Sequence, residues 1–199
     1  MSNFVLVLFY SSGGHTQKMA ETIATGIELQ GLEAKIRTVP RVSSVTEQTQ
    51  TEIPDDGYLY ATKEDLSQCS ALIMGSPTRF GNMAAPMKYF LDQTSDLWLS
   101  GALVDKPAAV FTSSSTLHGG QESTCLSMQI PLLHHGMIIV GLPFNIDGMH
   151  THDSFSKYEG GGPYGAGMIS NKDNLSKNEE KLCLALGKRV CKISKLMST

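Results

Sequence analysis

The stretch FVLVLFYSSGGHTQKMAETIATGI, residues 4–27, decides the fold. Its first six residues form an unbroken apolar run, the pattern of a strand covered on both faces. The run ends in Ser11-Ser12-Gly13-Gly14-His15-Thr16, after which Met19, Ala20, Ile23, Ala24 and Ile27 recur on one helical face. A strand, a tight turn and a helix in that order gather backbone N–H groups and a helix N-terminus at one point. Such a point binds a phosphate dianion without a lysine. The hydroxyls of Ser11, Ser12 and Thr16 can donate to the same oxygens, while Gly13 and Gly14 let the backbone approach closely. A mononucleotide phosphate is therefore the first ligand this loop points to. Turns and N-caps favour the same residue types, so the loop taken alone also fits an ordinary strand-to-helix turn.

Two other phosphate loops are set aside on spacing. No G-x-x-x-x-G-K-[ST] occurs in the chain, and the first loop does not spell G-x-G-x-x-G, which disfavours a Walker-type NTPase and a Rossmann dinucleotide site. The 199 residues predict one domain, 1–199, with a sizeable core. A formal charge of −3 is small for this length and argues against nucleic acid as a partner. No apolar stretch is long enough to span a bilayer, and the start lacks a secretory signature. Cys69, Cys125, Cys183 and Cys191 show no C-x-x-C spacing, so reduced core thiols in a cytoplasmic protein are expected.

Four more strand-like segments follow: Ala34 to Val39, Ala71 to Ser76, Ala108 to Ser113 and Met137 to Leu142. Helices are expected over Thr16 to Leu29, Lys63 to Gln68, Ala84 to Thr94, Glu122 to His135 and Lys177 to Leu196. Thr62 with Asp65 and Ser176 with Glu179 have capping-box spacing, and Pro131 is expected to kink or break the fourth helix. The alternation predicts an α/β fold, a doubly wound five-stranded parallel sheet with helices on both faces. In such sheets ligands bind beyond the carboxyl ends of the strands. Three polar, glycine-bearing loops lie there: Ser11 to Thr16, Pro77-Thr78-Arg79-Phe80-Gly81-Asn82, and Ser113-Ser114-Ser115-Thr116-Leu117-His118-Gly119-Gly120-Gln121. Their convergence on one crevice strengthens the nucleotide reading beyond what any one loop carries. Two long inserted segments, near 40–61 and 143–175, suit lids or oligomer contacts. Tyr158 and Tyr164 flank a glycine run in the second, which fits a lid over a flat ligand or a plain surface loop. His150-Thr151-His152-Asp153 lacks a further ligand at metal spacing, so no metal site is expected.

Several longer motifs narrow the reading. They are Gly75-Ser76-Pro77-Thr78-Arg79-Phe80-Gly81-Asn82-Met83, Phe90-Leu91-Asp92-Gln93-Thr94 with Trp98 beyond, His118-Gly119-Gly120-Gln121-Glu122, Leu133-His134-His135-Gly136-Met137, and Gly162-Pro163-Tyr164-Gly165-Ala166. Together they resemble the WrbA family of flavodoxin-like NAD(P)H:quinone oxidoreductases, from the first strand to the last helix. The resemblance implies noncovalent FMN, with its phosphate held by Ser11, Ser12, Gly13, Gly14, His15 and Thr16. It implies that Pro77, Thr78, Arg79, Phe80, Gly81 and Asn82 run along the isoalloxazine edge. Ser113, Ser114, Ser115, Thr116 and Gly119 would contact the ribityl chain and the polar edge of the ring. His134 matches the family's flavin-site histidine, and Trp98 its substrate-stacking tryptophan; Phe80 would flank the quinone as well. His134 could bond the flavin's pyrimidine edge or deliver a proton as the catalytic residue, or simply end a helix where a cation is favoured. His135 is expected to point elsewhere. The resemblance further implies a homotetramer, with NAD(P)H and quinone taking turns in a ping-pong hydride transfer through flavin N5.

The chain departs from the family at Gly13, where relatives often carry a larger or aromatic residue associated with nicotinamide contact. Both NADH and NADPH stay open as donors. The loop after the fourth strand is longer by Leu117-His118, and His118 reaches over the ring or faces solvent. The main rival function is a flavodoxin-type FMN electron carrier serving a protein partner. Flavodoxins tend to be shorter and strongly acidic, which aids docking on redox partners; the near-balanced charge and the inserted segments favour the enzyme. A repressor-binding role has no recognition helix or basic stripe to support it.

Overall fold

A computed structural model describes residues 3–42, 56–146, 149, 159–170 and 173–197. The leading run forms β1 (Phe4–Phe9), every residue of it buried, and the face read from the sequence forms α1 (His15–Glu28). Then come β2 (Glu33–Thr38), α2 (Lys63–Gln68), β3 (Ala71–Pro77), α3 (Ala85–Asp92), α4 (Ser95–Leu99), β4 (Pro107–Ser114), α5 (Gln121–His134), β5 (Ile138–Ile139), β6 (Ala166–Ile169) and α6 (Lys177–Met197). The sheet is parallel in the order β2-β1-β3-β4-β5, with β6 also on β4.

Because successive side chains of a strand point to opposite faces, β1 feeds two cores at once. Val5, Val7 and Phe9 meet Met19 and Ile23 of α1 and Leu186 and Val190 of α6. Phe4, Leu6 and Leu8 share the other core with Met87 and Leu91 of α3 and Met128 and Leu132 of α5. The helices thus cover both faces, as the unbroken apolar runs predict. All four cysteines are free and buried, and burial pushes the Cys69 thiol up to about 11 and the Cys125 thiol up to about 12.

Four expectations need correction. The fifth strand is not continuous over Met137 to Leu142. Ile138 and Ile139 pair with Pro107 and Ala108, and Ala166 to Ile169 then continue beside Phe111 to Ser114. One sheet position is thereby shared by two segments, and part of the 143–175 insertion is strand. The helix expected over Ala84 to Thr94 stops at Asp92, and a separate short helix, α4, follows. Pro131 does not break α5, which runs through it to His134. It sits in the last turn, where the missing N–H removes one hydrogen bond and little helix remains to be kinked. The Ser113 to Gln121 loop is also shorter than its motif, because Ser113 and Ser114 belong to β4 and Gln121 opens α5.

Both capping boxes form. Asp65 N–H donates to Thr62 Oγ1 at 3.1 Å and Thr62 N–H donates to the Asp65 carboxylate at 3.0 Å. Ser176 and Glu179 make the corresponding pair at the head of α6, at 3.2 and 2.8 Å. The first insertion returns to the sheet at its end, where Thr38 pairs with Tyr60. Tyr158 and the His150 to Asp153 cluster lie outside the described residues.

Candidate functional site

The three loops meet at the carboxyl ends of β1, β3 and β4. Gly14 caps α1 in the left-handed conformation, φ 81°, and no side chain caps the helix. The first N–H groups of α1 therefore have no intrahelical acceptor. In the loop that leads into the helix, Ser11 Oγ is buried and without a hydrogen-bond partner. A buried hydroxyl left unpaired costs about 1–3 kcal/mol, which a ligand acceptor would recover. Uncapped helix amides and an orphaned hydroxyl at one place fit a phosphate oxyanion.

Side chains tie the loops together. Thr16 Oγ1 and Ser113 Oγ lie 3.1 Å apart, joining the first loop to the end of β4. Arg79 Nη2 donates to Ser12 Oγ at 2.9 Å, joining the second loop to the first. Thr124 Oγ1 donates to Thr78 Oγ1 at 2.8 Å, and Thr78 N–H donates to Ser113 O at 2.9 Å. Gly81 and Gly120 abut closely enough that a Cβ on Gly120 would stand 2.9 Å from Gly81 Cα. Ser76, buried at the end of β3, closes the second loop: its hydroxyl accepts from Ala84 N–H at 2.8 Å.

Phe80 heads that loop with φ 54° and its side chain fully exposed. An aromatic in the left-handed region carries about 1–2 kcal/mol of strain, held here by the two hydrogen bonds that pair Arg79 with Asn82. The loop spends that strain to hold a ring off the surface, where a flat ligand can meet it. Pro77 is buried at the end of β3; Ser115, Thr116 and His118 are exposed, so His118 faces solvent. Gly119 N–H closes the loop on Thr116 O at 3.1 Å. His15 is half-buried, with its imidazole 3.4 Å from where a Gly13 Cβ would be.

Trp98 on α4 and His134 at the end of α5 are exposed and share a groove of about 510 Å³. That groove touches the second loop at Asn82 and Met83 and includes none of residues 11–16. Trp98 and His134 thus line one groove, and its Asn82 edge belongs to the β3 loop, which Arg79 and Thr78 tie to Ser12 and to Ser113. His135 lines the same groove but is buried, with Nε2 2.9 Å from Thr94 Oγ1. Burial and the adjacent His134 both hold its imidazole below the ordinary value.

Two residues without an assigned role organise the third side of the crevice. Gln121 donates from Nε2 to Ser114 Oγ at 2.8 Å and accepts at Oε1 from Gly161 N–H at 2.9 Å. Glu179 Oε1 accepts from Gly160 N–H at 3.0 Å and from Ile169 N–H at 2.9 Å. Gly160 and Gly161, which lead into the Gly162 to Ala166 motif, are therefore pinned to the heads of α6 and α5. Capping-box spacing marks Glu179 in the sequence, but nothing there shows its second set of partners.

The doubly wound parallel sheet, with its loops gathered at the carboxyl ends of the strands, defines a flavodoxin-like fold. A sequence profile described as NADPH-dependent FMN reductase matches residues 5–151. A protein of Syntrophobacter fumaroxidans named NAD(P)H dehydrogenase (quinone) is 43% identical over 203 residues, covering 98% of each chain. One of the same name from Geobacter sulfurreducens is 46% identical over 172 residues, 83% of each. The chain belongs to the NADPH-dependent FMN reductase family. Among solved structures, a flavodoxin described as WrbA-like from Agrobacterium tumefaciens superposes with TM-score 0.69 at 24% identity, covering 98% of this chain and 99% of that one. Megasphaera elsdenii flavodoxin superposes with TM-score 0.59 at 15% identity, covering 95% and 99%; at these identities the likeness concerns the fold.

Proposed function

We propose that this chain is an FMN-dependent NAD(P)H:quinone oxidoreductase, a single domain over 1–199. The observation that carries the reading is the buried, unpartnered Ser11 hydroxyl at the uncapped head of α1. The relatives' shared name, NAD(P)H dehydrogenase (quinone), supplies the substrate class. Ser11, Ser12, Thr16 and the amides of Gly13, Gly14 and His15 would hold the FMN phosphate. Ser113 to Gly119 would line the ribityl chain, and Pro77 to Asn82 the ring edge. FMN when bound supplies hydride acceptance at N5 from NAD(P)H and two-electron return to a quinone, the substrates taking turns in a ping-pong cycle. Trp98 and Phe80 offer aromatic faces for a planar quinone. His134, exposed in the groove, would pass a proton to a quinone oxygen, since an imidazole can both donate and accept one.

Exposed Ile130 lines the groove, and Tyr89, Leu99 and Leu133, next in sequence to its lining residues Lys88, Trp98 and His134, are exposed as well. Apolar surface concentrated around a binding groove suits burial between subunits. We include in the proposal a homotetramer whose subunits complete one another's grooves. A monomer at micromolar concentration in analytical ultracentrifugation would remove this part of it.

Anaerobic stopped-flow absorbance tests the activity. Rapid bleaching of the oxidised flavin band by NADH or NADPH, and its return on adding benzoquinone, is the expected result. If neither nicotinamide bleaches a flavin that dithionite still reduces, the chain is an electron carrier for a protein partner. In the same assay His134→Ala should slow benzoquinone turnover by about 10²-fold, the scale of a general-acid contribution, while leaving FMN affinity near wild type. An unchanged turnover would remove the proton-delivery role.

A further inference from the structure

Within the groove wall, which Thr94 and His135 help to line, one hydrogen bond links the two elements that carry Trp98 and His134. Thr94 precedes α4 and begins it, because Thr94 O accepts from Trp98 N–H at 3.1 Å. Its side chain is almost wholly buried. The hydroxyl lies 2.7 Å from Leu91 O and 2.9 Å from His135 Nε2. A hydroxyl has one proton to donate. With that proton on Leu91 O, Thr94 Oγ1 accepts from His135 Nε2–H, which assigns the tautomer from the hydrogen-bond network. Nδ1 is then an acceptor, buried and without a partner.

This arrangement is a poor way to fill space. An apolar side chain would pack there without an unpaired buried nitrogen, whose desolvation is unfavourable. What the imidazole adds is a donor for Thr94. That donor matters because α4 is only five residues long, too short to hold its own position by helix formation alone. The bond joins the residue that starts α4 to the residue that follows His134.

We propose that His135 is a positioning residue which, through Thr94, sets where Trp98 stands relative to His134 in the groove. The link preorganises an aromatic wall opposite a proton donor, so a planar substrate does not have to order α4 on binding. The proposal rests on the reading of the groove as the quinone site, and its test separates the two.

Trp98 is the chain's single tryptophan, so its emission reports this position alone. The FMN-loaded protein is compared with His135→Leu, Thr94→Val and His135→Gln, the last of which keeps an amide N–H donor at a reach similar to Nε2–H. His135→Leu and Thr94→Val should increase acrylamide quenching of Trp98 at least twofold. They should raise the KM for benzoquinone about tenfold, the scale of one buried hydrogen bond, with kcat much less affected and FMN affinity unchanged. The double variant should be no worse than the worse single one, since both remove the same bond. His135→Gln should restore both readouts. Wild-type quenching in both His135→Leu and Thr94→Val overturns the proposal, and so does a His135→Gln protein as impaired as His135→Leu. If His135→Leu fails to fold, the near-isosteric Thr94→Val decides alone. If Trp98→Ala leaves the benzoquinone KM untouched, the groove is not the quinone site; the quenching data then still decide whether His135 positions Trp98.

Discussion

Glu179→Leu is expected to lower the stability of the protein by about 3–5 kcal/mol, an estimate built from the cost of unpaired buried donors. Glu179 is 2% exposed and accepts three backbone N–H groups, those of Gly160, Ile169 and Ser176, at 3.0, 2.9 and 2.8 Å. Leucine fills the volume and leaves all three donors without an acceptor. Each such donor costs about 1–3 kcal/mol, with water reaching the half-buried Ser176 amide more easily than the other two. In a chain of this size the loss corresponds to a fall in Tm of roughly 10 °C. Glu179→Gln keeps one oxygen acceptor and should fall about half as far. The consequence reaches the ligand site, because the freed segment contains β6, which pairs with Phe111 to Ser114. Gln121, bonded both to Ser114 and to Gly161, transmits the same disturbance. Thermal unfolding with and without FMN, together with FMN titration by flavin fluorescence, reads both effects. A Glu179→Leu protein melting within about 2 °C of wild type would mean that the Gly160 to Ile169 segment is held by its sheet pairing alone.

Why Glu179 escaped notice in the sequence shows where sequence reading ends. Capping-box spacing is local, so Ser176 and Glu179 could be paired from a three-residue interval. The other two acceptor roles depend on a segment at least ten residues upstream folding back. β6 was hidden for a related reason. Ala166-Gly167-Met168-Ile169 follows a glycine-rich run and reads as loop; it is a strand because β4 leaves an open edge beyond Ala108 once β5 ends. By contrast β1, β3 and β4 are long apolar runs whose burial on both faces dictates their composition. The crevice was legible because strand ends in a parallel sheet fix where loops converge, whatever the loops contain. His134 and His135 are adjacent and chemically identical; the resemblance alone told them apart in the sequence, and the structure buries His135 against Thr94. α4 escaped because five residues carry too little periodicity to be told from the end of α3.

Ser11→Asp is expected to abolish FMN binding while leaving the protein without ligand as stable as wild type or more so. The hydroxyl now sits buried and unpartnered in the loop that leads into the uncapped N-terminus of α1. A carboxylate in its place would accept from the free amides of the first turn, a contact that favours anions by about 0.3–1 kcal/mol. The same carboxylate would occupy the position of a phosphate oxygen and repel the dianion. Two unit charges about 4 Å apart interact by roughly 4 kcal/mol at the effective dielectric of a protein surface, about a thousandfold in affinity. Ser11→Ala separates charge from hydrogen bonding: it removes one donor and should weaken FMN about tenfold, while relieving the unpaired hydroxyl in the ligand-free protein. Opposite signs for fold stability and for binding are what a ligand site predicts and a structural turn does not. A turn residue would move stability alone, and any change in flavin content would merely track it. The decisive pair of measurements is therefore the unfolding midpoint of the ligand-free protein and the FMN dissociation constant, taken on the same preparations. A Ser11→Asp protein that still binds FMN within about tenfold of wild type, against the thousandfold loss that charge repulsion predicts, would place the phosphate elsewhere than at the head of α1.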